Sequence, residues 1–271
     1  MTDQACIQFL QWSLPKLRMR WKGFRKVRGQ VCKHIERRLN ALELADAEGY
    51  RSLLERNRDE WDVLDSLCRV TISRFYRDRE VFRSLEQEVL VRLCEHEMAR
   101  GAPELRCWSI GCASGEEPYT LALLWNLGAA RLSRAMKISI LATDADPNMI
   151  ERAKQGCFAS GSLSDLPRHW RTNGFVRDRN RFCVRPEERG KVIFLAQDIR
   201  AAEPAGLFHL ILCRNLVFTY FEEEFQKEIL TRLRDKLHDH GVLVVGIHEA
   251  LPSGTTGFLR WPGCSGIYRK T

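Results

Sequence analysis

The segment with the clearest chemical character is W-S-I-G-C-A-S-G-E-E-P-Y-T, which runs from Trp108 to Thr120. It places a glycine turn between a predicted strand and a predicted helix, the position at which nucleotide-like cofactors bind in doubly wound sheets. Gly111 and Gly115 would let the backbone approach such a ligand closely. The spacing is not G-x-G-x-x-G, which disfavours a dinucleotide site, and no G-K-[ST] follows to make a P-loop.

Two adjacent acids, Glu116 and Glu117, begin the predicted helix, where the helix dipole favours negative charge. Ser114 and Glu117 fit a capping box, in which the glutamate reaches back to the capping residue. Glu116 is not needed for that cap. Its carboxylate is therefore available to face a ligand and pair with a cationic group.

A further acid, Asp144, ends the next predicted strand, where an acid commonly binds the ribose hydroxyls of an adenosine ligand. Asp146 is the alternative for that role, or it caps the helix that starts at Pro147. Acids without a phosphate-binding loop suit a positively charged ligand. S-adenosylmethionine has this chemistry, because it carries a sulfonium, an ammonium and a ribose.

The composition is that of a globular protein, with 271 residues of which 44% are hydrophobic and 29% charged. The length predicts one or two domains with a sizeable core. There is no apolar run of about 18 residues, and the first residues lack the basic start and apolar stretch of a secretory signal. We therefore expect neither a membrane-spanning helix nor secretion.

The ten cysteines are scattered, and none shows C-x-x-C spacing. This argues against a zinc or redox site and, at this chain length, against a disulfide scaffold. We expect no bound metal, and reduced thiols in a cytoplasmic protein.

The net charge of +8 is concentrated in one stretch, since residues 16–38 contain ten Lys or Arg and the single acid Glu36. Such a patch attracts nucleic acid, an anionic membrane surface or an acidic protein. The alternative is an ordinary solvated helix face.

The first hundred residues show helical periodicity throughout. Predicted helices cover about 24–39, 47–69 and 78–98, and the segment 101–103 (Gly-Ala-Pro) ends the last of them. In the first helix, Phe24, Val27, Val31, Ile35 and Leu39 share one face. We therefore predict a small all-helical N-terminal domain at 1–100 that faces the substrate.

From residue 101 to 271, short apolar runs alternate with helical stretches. This pattern predicts an α/β fold with a mostly parallel, doubly wound, Rossmann-like sheet. The polar, basic stretch 158–190 fits poorly and is interpreted as a small inserted subdomain. The predicted strands lie at 105–110, 138–143, 192–195, 207–213 and 242–247, and the predicted helices at 116–127, 147–155 and 222–237.

The chain resembles the S-adenosylmethionine-dependent methyltransferases of the CheR type, which esterify glutamates on bacterial chemoreceptors. Segments across about 24–252 match the family's motifs in order, and G-E-E-P-Y followed by C-R-N is the most specific part of the match. The matching segments are Thr71–Asp78, Gly111–Tyr119, Ala142–Asp146, Leu212–Asn215 and Gly246–Glu249.

The resemblance implies a class I methyltransferase domain with S-adenosylmethionine as the cofactor. Each implied contact has a structural alternative, such as a helix cap for Ser73, a surface ion pair for Arg77, or a turn at Asp198 and Asn215. Together with the two glycines of the turn, the implied cofactor contacts are Thr71, Ser73, Arg77, Glu116, Asp144, Asp198, Ile199, Arg214 and Asn215.

Some positions depart from the family pattern. Thr71 stands where Asn is usual, and Ser73 stands where Thr is usual. One extra residue after Asn215 leaves either Thr219 or Tyr220 at the family's tyrosine position. These departures affect the substrate more than the chemistry.

A glutamate carboxylate is ionised at pH 7, so its methylation requires in-line positioning rather than a general base. We predict that Arg77 orients the acceptor carboxylate and that Tyr220 donates to one of its oxygens. The predicted partner is an acidic protein such as a chemoreceptor helix, with the enzyme as a monomer, without membrane insertion and with nucleic acid disfavoured. The alternatives are a methyltransferase for RNA or a small molecule, and a non-catalytic signalling protein that binds S-adenosylmethionine.

Overall fold

The computed structural model describes residues 1–101, 104–128 and 136–271. They form two compact units, one of Met1–Thr71 with Thr219–Gln226 and one of Ile72–Phe218 with Lys227–Thr271. This division differs from the predicted boundary at residue 100. The third predicted helix contributes Val81, Phe82 and Leu90 to the core around the sheet, so its apolar face assigns it to the second unit.

The first unit is helical, as its periodicity predicts. Val31, Ile35 and Leu39 are buried on one face of its longest helix, and Asp46 caps the helix that follows. The buried Glu60 accepts hydrogen bonds from Arg38 and from the Tyr50 hydroxyl. Its helices are α1 Asp3–Ser13, α2 Trp21–Phe24, α3 Arg28–Ala41, α4 Ala47–Arg56 and α5 Asp59–Leu67.

Helices α6 to α11 belong to the second unit, whereas α12 and α13 carry residues of both units. Helix α6 continues through a π-helical turn into α7, and the predicted stop at 101–103 lies partly outside the described residues. The helices are α6 Arg79–Ser84, α7 Leu90–Ala99, α8 Glu116–Leu123, α9 Pro147–Gln155, α10 Arg168–Gly174, α11 Pro186–Arg189, α12 Val217–Tyr220 and α13 Glu223–Asp235.

The second unit contains a seven-stranded and a three-stranded sheet. Its strands are β1 Glu104–Ile110, β2 Lys137–Asp144, β3 Cys157–Ala159, β4 Phe175–Asp178, β5 Arg181–Val184, β6 Val192–Ala196, β7 Phe208–Leu212, β8 Leu237–Val244, β9 Phe258–Arg260 and β10 Ile267–Lys270. The large sheet has the order β6-β2-β1-β7-β8-β10-β9. Its first five strands are parallel, and β10 runs antiparallel to both neighbours.

This topology confirms the predicted fold class. The reversal of strand order beside β1 brings the carboxyl ends of β1, β2 and β7 to one edge, the position of ligand sites in doubly wound sheets. The small sheet, of order β3-β5-β4, begins at Cys157, one residue before the predicted insertion at 158–190, and its other residues lie within that insertion. Strands β9 and β10 were not predicted, because segments of three and four residues with mixed polarity show no clear periodicity.

The expectation that all cysteines are reduced thiols is wrong for four of them. Disulfides join Cys6 to Cys32 and Cys157 to Cys183. The second pair lies directly across the antiparallel register of β3 and β5. Spacing along the chain could not reveal either pair, because the packing of α1 with α3 and the pairing of β3 with β5 bring them together. The other six cysteines are buried and form no disulfide.

A cluster of histidines lies where α7, β1, β7 and β8 meet. The buried His209 accepts the Arg106 main-chain N–H at Nδ1, at 2.9 Å, and its Nε2 lies 3.5 Å from the Glu97 carboxylate. Its ring stacks on His238, with 4.3 Å between ring centroids. His96 bonds Glu97 at 3.0 Å. Because Nδ1 accepts a main-chain hydrogen bond, the neutral His209 ring carries its proton on Nε2.

Burial lowers the pKa of His209, and a positive charge on the stacked His238 would lower it further. The pKa of His238 is also lowered, mainly by burial. As the pH falls through the ordinary histidine pKa of about 6.5, the unfolded chain therefore binds more protons than the folded chain. The free energy of unfolding decreases as a result.

We predict that His209→Asn weakens this pH dependence, since the Asn oxygen can accept the Arg106 N–H but does not titrate. Urea unfolding at pH 7.5 and pH 5.0 measures it: the free energy of unfolding should fall less on acidification than in the unaltered protein. His248→Asn, which replaces an exposed histidine, is the control and should keep the original dependence. Equal pH dependence of the His209→Asn and unaltered proteins would contradict the assignment.

Candidate active site

The turn after β1 is fixed by hydrogen bonds to the end of β2. The N–H groups of Gly111 and Cys112 donate to the Thr143 carbonyl at 2.8 and 3.0 Å. The N–H of Ala113 donates to the Asp144 carboxylate at 2.8 Å. The turn and the acid that ends β2 therefore form one rigid corner at the carboxyl edge of the sheet.

Both glycines of the turn have positive φ, +69° at Gly111 and +95° at Gly115. A Cβ at Gly111 would lie 2.7 Å from the Leu216 side chain, and one at Gly115 would lie 3.1 Å from Ala153 and 3.2 Å from Phe194. The protein itself therefore requires glycine at both positions, for backbone conformation and for close packing of loop and helix.

The predicted capping box is not formed. Helix α8 begins at Glu116 with the left-handed Gly115 as its cap, so Glu117 is the second helical residue rather than the third. The Ser114 hydroxyl instead donates to the Glu116 carboxylate at 3.0 and 3.2 Å. Glu117 faces away from the cap and accepts a 2.8 Å hydrogen bond from the Ser109 hydroxyl.

Arg214, just after β7, connects three separate segments. Its guanidinium, 3% exposed, donates to Glu117 at 2.8 Å and to Asp78 at 2.7 Å, and it also bonds the Arg77 carbonyl at 2.9 Å. Its plane lies over the Phe82 ring, with Cζ 5.2 Å from the centroid. Arg214 therefore fixes the β1–α8 turn and the segment before α6 to the end of β7.

Arg77 is held differently. It donates to the Ile72 carbonyl and to the Asn215 side-chain oxygen, both at 3.1 Å, and both acceptors are neutral. Asn215 has a left-handed backbone, with φ +56°, and its N–H donates to Glu249 at 2.8 Å. The same Glu249 oxygen accepts the Gly246 N–H at 2.6 Å. Within the described residues, Arg77 is thus a half-buried cation with no carboxylate in contact.

The two aspartates after β2 have separate roles. Asp144 accepts main-chain N–H groups from Ala113 and Asp146, at 2.8 and 2.9 Å. Asp146 caps α9 through the Asn148 N–H at 2.8 Å, which is the capping alternative considered for it. Asp144 is therefore the acid at the edge of the sheet, as predicted.

Glu116 is the more unusual carboxylate. It is 3% exposed, and among the described residues its carboxylate contacts the neutral Ser114 hydroxyl and no Lys or Arg. A buried carboxylate without a cationic partner is costly unless a positive group joins it. Glu116 and Asp144 therefore supply negative charge and hydrogen-bond acceptors that suit a cationic adenosine ligand.

The remaining predicted residues lie elsewhere in the two units. Asp198 is closed into a turn, where its carboxylate bonds the Arg200 N–H and guanidinium, and Ile199 beside it is buried. Ser73 is half-buried and does not cap α6, whose cap residue is Asp78. Thr71 and Tyr220 belong to the first unit, where the Tyr220 ring packs on Phe24 at 4.9 Å.

The thiols near the site are not nucleophiles. Burial raises the pKa of Cys112 well above its ordinary value, and the nearby Asp144 and Glu117 raise it further. Burial also raises the pKa of Cys213, with a further contribution from Glu249. Both thiols remain protonated at neutral pH, and acid residues rather than cysteines define the chemistry of the site.

Sequence reasoning missed the supporting roles of Asp78, Glu117 and Glu249. Asp78 and Glu249 lie inside the matched motif segments, and that position could have marked both as site residues. No signal in the sequence could have identified Arg214 as the partner of Glu117, because the two are 97 residues apart.

Two kinds of feature are absent from residues 1–101, 104–128 and 136–271. No helix there is both long and apolar enough to cross a membrane. No group of three or more His, Cys, Asp or Glu side chains in that part of the chain could hold a metal ion.

Comparisons with known proteins identify a family for this chain. A family described as "CheR methyltransferase, SAM binding domain" matches residues 71–263. A chemotaxis protein methyltransferase of Listeria innocua is 34% identical over 190 residues, which are 70% of this chain and 69% of that protein. The corresponding protein of Escherichia coli is 30% identical over 232 residues, covering 82% and 76%. An uncharacterised 104.1 kDa protein of Rhodobacter capsulatus is 33% identical over 82% of this chain, which spans 23% of that protein's length.

The Arg214 contacts predict a large loss of stability in Arg214→Met, because Asp78 and Glu117 would keep buried charges without their partner. We expect the free energy of unfolding to fall by about 3–5 kcal/mol, as measured by urea denaturation. Arg83→Met is the control, since Arg83 forms an exposed ion pair with Glu80 and should cost less than about 1 kcal/mol. Similar losses in both variants would show that Arg214 does not anchor the site.

Proposed function

The chain belongs to the CheR methyltransferase family, and on this basis we propose that it transfers a methyl group from S-adenosylmethionine to glutamate carboxylates of an acidic protein, such as a chemoreceptor. The observation that carries the choice of acceptor is the half-buried Arg77 guanidinium, whose hydrogen bonds go to neutral oxygens. A carboxylate acceptor would supply the negative charge that this cation lacks.

The residues at the sheet edge fit the cofactor. Bound S-adenosylmethionine supplies an activated methyl group on a sulfonium. We propose that Asp144 binds the ribose hydroxyls and that Glu116 offers its buried carboxylate to the cationic part of the molecule. The charge of Glu116 in a site of low exposure supports this assignment. Contacts from Thr71, Ser73, Asp198 and Ile199 stay predictions from the family resemblance.

On the acceptor side, the protein has to orient a group that is already ionised at neutral pH. Arg77 would hold one carboxylate oxygen and leave the other for in-line attack. Glu249 supports this role through Asn215, because its hydrogen bonds keep the Asn215 side chain beside Arg77. A hydrogen bond from the Tyr220 hydroxyl to the acceptor remains a prediction, as do a monomeric state and a cytoplasmic location.

Methyl transfer to a carboxylate has a distinctive product. We expect that incubation with methyl-labelled S-adenosylmethionine and host lysate labels a protein band, and that mild alkali releases the label as methanol. Alkali-stable label on RNA or on a small molecule would instead support those acceptors. Cofactor binding without transfer to any acceptor would indicate a non-catalytic signalling protein.

Two variants separate acceptor positioning from cofactor binding. Arg77→Met should lower the rate of methyl transfer about 100-fold or more, because the acceptor carboxylate loses its orienting cation. Asp144→Asn should weaken S-adenosylmethionine binding roughly 10- to 150-fold in calorimetry, through loss of a charge-assisted hydrogen bond. Asp146→Asn, which alters the cap of α9, is the control and should bind the cofactor nearly normally.

If Arg77→Met transfers methyl groups at the original rate, Arg77 does not orient the acceptor. If Asp144→Asn and Asp146→Asn have equal affinities, the ribose assignment to Asp144 is wrong. The Arg77 result tests the acceptor independently of the Asp144 result, which tests the cofactor.

The basic surface around α3 supports an acidic protein partner. Arg38 is held by Glu60, and Arg28 pairs with Asp3, so these two charges are already neutralised. Four further cations of the region, Arg25, Lys26, Lys33 and Arg37, are exposed and form no ion pair within the described residues. Exposed cations without partners steer acidic molecules by long-range attraction.

We predict that Arg25→Glu, Lys26→Glu and Lys33→Glu together raise the KM for a protein acceptor about tenfold at low salt, without changing cofactor affinity. The difference should shrink above about 0.1 M salt, where screening is effective within about 10 Å. The matched control reverses Lys137, Lys236 and Arg269, with the same change in net charge. An equal effect of both triple variants would mean that net charge, not this surface, attracts the acceptor.

A further inference from the structure

The disulfide between Cys157 and Cys183 is a covalent link within the small sheet of the second unit. It joins β3 to β5 at directly opposed positions, and both residues are half-buried rather than enclosed in the core. Strand β3 has three residues and lies at the edge of its sheet, so few main-chain hydrogen bonds hold it. The link spans 26 residues of the chain, and such a closure stabilises the paired strands by restricting the open chain.

The small sheet packs on the segment that precedes α6. The Phe75 ring meets Phe158 of β3 edge-on, with 4.7 Å between centroids, and Phe175 of β4 in the same way at 5.3 Å. Phe75 is fully buried, and its N–H donates to the Ser162 carbonyl just after β3 at 3.1 Å. The position of Phe75 is therefore set by the small sheet and by the turn that follows its first strand.

Phe75 lies within the segment that orients the Arg77 side chain. Arg77 donates to the carbonyl of Ile72, which lies three residues before Phe75. Arg214 holds the other end of this segment, through the Arg77 carbonyl and the Asp78 carboxylate. The contacts of Phe75 therefore support the end that carries the Ile72 carbonyl, and a loosened β3 would free that end.

We propose that the Cys157–Cys183 pair is a reversible redox site, with a dithiol as its reaction partner, and that its state controls how firmly Arg77 is oriented. A thiolate of the dithiol attacks one sulfur and forms a mixed disulfide, and the cysteine that leaves takes up a proton. The second thiol of the dithiol then closes a ring and releases the other cysteine, so two electrons pass from the dithiol to the pair. Exchange with the oxidised dithiol restores the link. The redox site stands on geometry alone, whereas its effect on catalysis rests on the proposed methyl transfer.

Hydrogen exchange of the full chain, in reduced or oxidised dithiothreitol, tests the structural step without any assay of activity. Alkylation and peptide mass spectrometry report the state of each cysteine pair. We expect reduction to speed exchange in β3 and in residues 72–78 at least about tenfold, while β1 and β7 keep their slow exchange. The double variant Cys157→Ser with Cys183→Ser should show this fast exchange without reductant, and slow exchange in β1 and β7 would show that the rest of it folds.

The matched control is Cys6→Ser with Cys32→Ser, which removes the disulfide of the first unit. In this variant, the exchange of β3 and of residues 72–78 should respond to dithiothreitol as in the unaltered protein. The inference is overturned if the Cys157–Cys183 pair stays oxidised in excess dithiothreitol. It is also overturned if the reduced pair leaves exchange at residues 72–78 unchanged.

Methyl transfer measured in the same two buffers tests the consequence for Arg77. Reduction should lower the transfer rate about tenfold or more, with unchanged cofactor affinity and with recovery on reoxidation. The variant that lacks Cys157 and Cys183 should be slow in both buffers, and a further loss on addition of dithiothreitol would assign the control to another thiol. If the oxidised protein transfers no methyl group, the proposed function is wrong, and the exchange measurements still decide whether the redox site exists.

Discussion

The buried Arg214 guanidinium is the interaction on which the second unit's site depends. It binds Glu117, which lies 97 residues earlier in the chain, and Asp78, which lies 136 residues earlier. Removing such a charge from water is favourable only when its partners are charged and well placed. The end of β7, the start of α8 and the segment before α6 are therefore positioned together, and the site cannot form from one of them alone.

The same site contains a second arginine whose environment is the opposite. Arg214 is neutralised by two carboxylates, whereas Arg77 is held by a carbonyl and by the Asn215 amide. Protein oxygens thus fix the orientation of Arg77 without cancelling its charge. This difference separates a cation that supports the fold from one that can orient a carboxylate.

Carboxylates show a parallel division. Asp146, Glu117 and Glu249 bind main-chain N–H groups or side chains of the protein and hold the turns in place. Glu116 is buried against a hydroxyl, and Asp144 lies at the end of β2 where it also fixes the turn after β1. A cationic adenosine ligand would therefore meet an acidic corner that is already rigid, which lowers the entropic cost of binding.

The sequence by itself determined the alternation of strands and helices, the glycine turn after β1, the acid at the end of β2 and the buried face of α3. These features are local, since hydrophobic periodicity and turn chemistry are set by neighbouring residues. The family resemblance added the cofactor and the reaction, through motifs such as G-E-E-P-Y and C-R-N. Only the tertiary structure decided that Glu117 bonds Arg214 instead of capping its helix, that Cys157 meets Cys183, and that β9 and β10 complete the sheet. These outcomes depend on which distant segments pack together, and the energy of a buried ion pair or a strand register belongs to that packing rather than to any stretch of the chain.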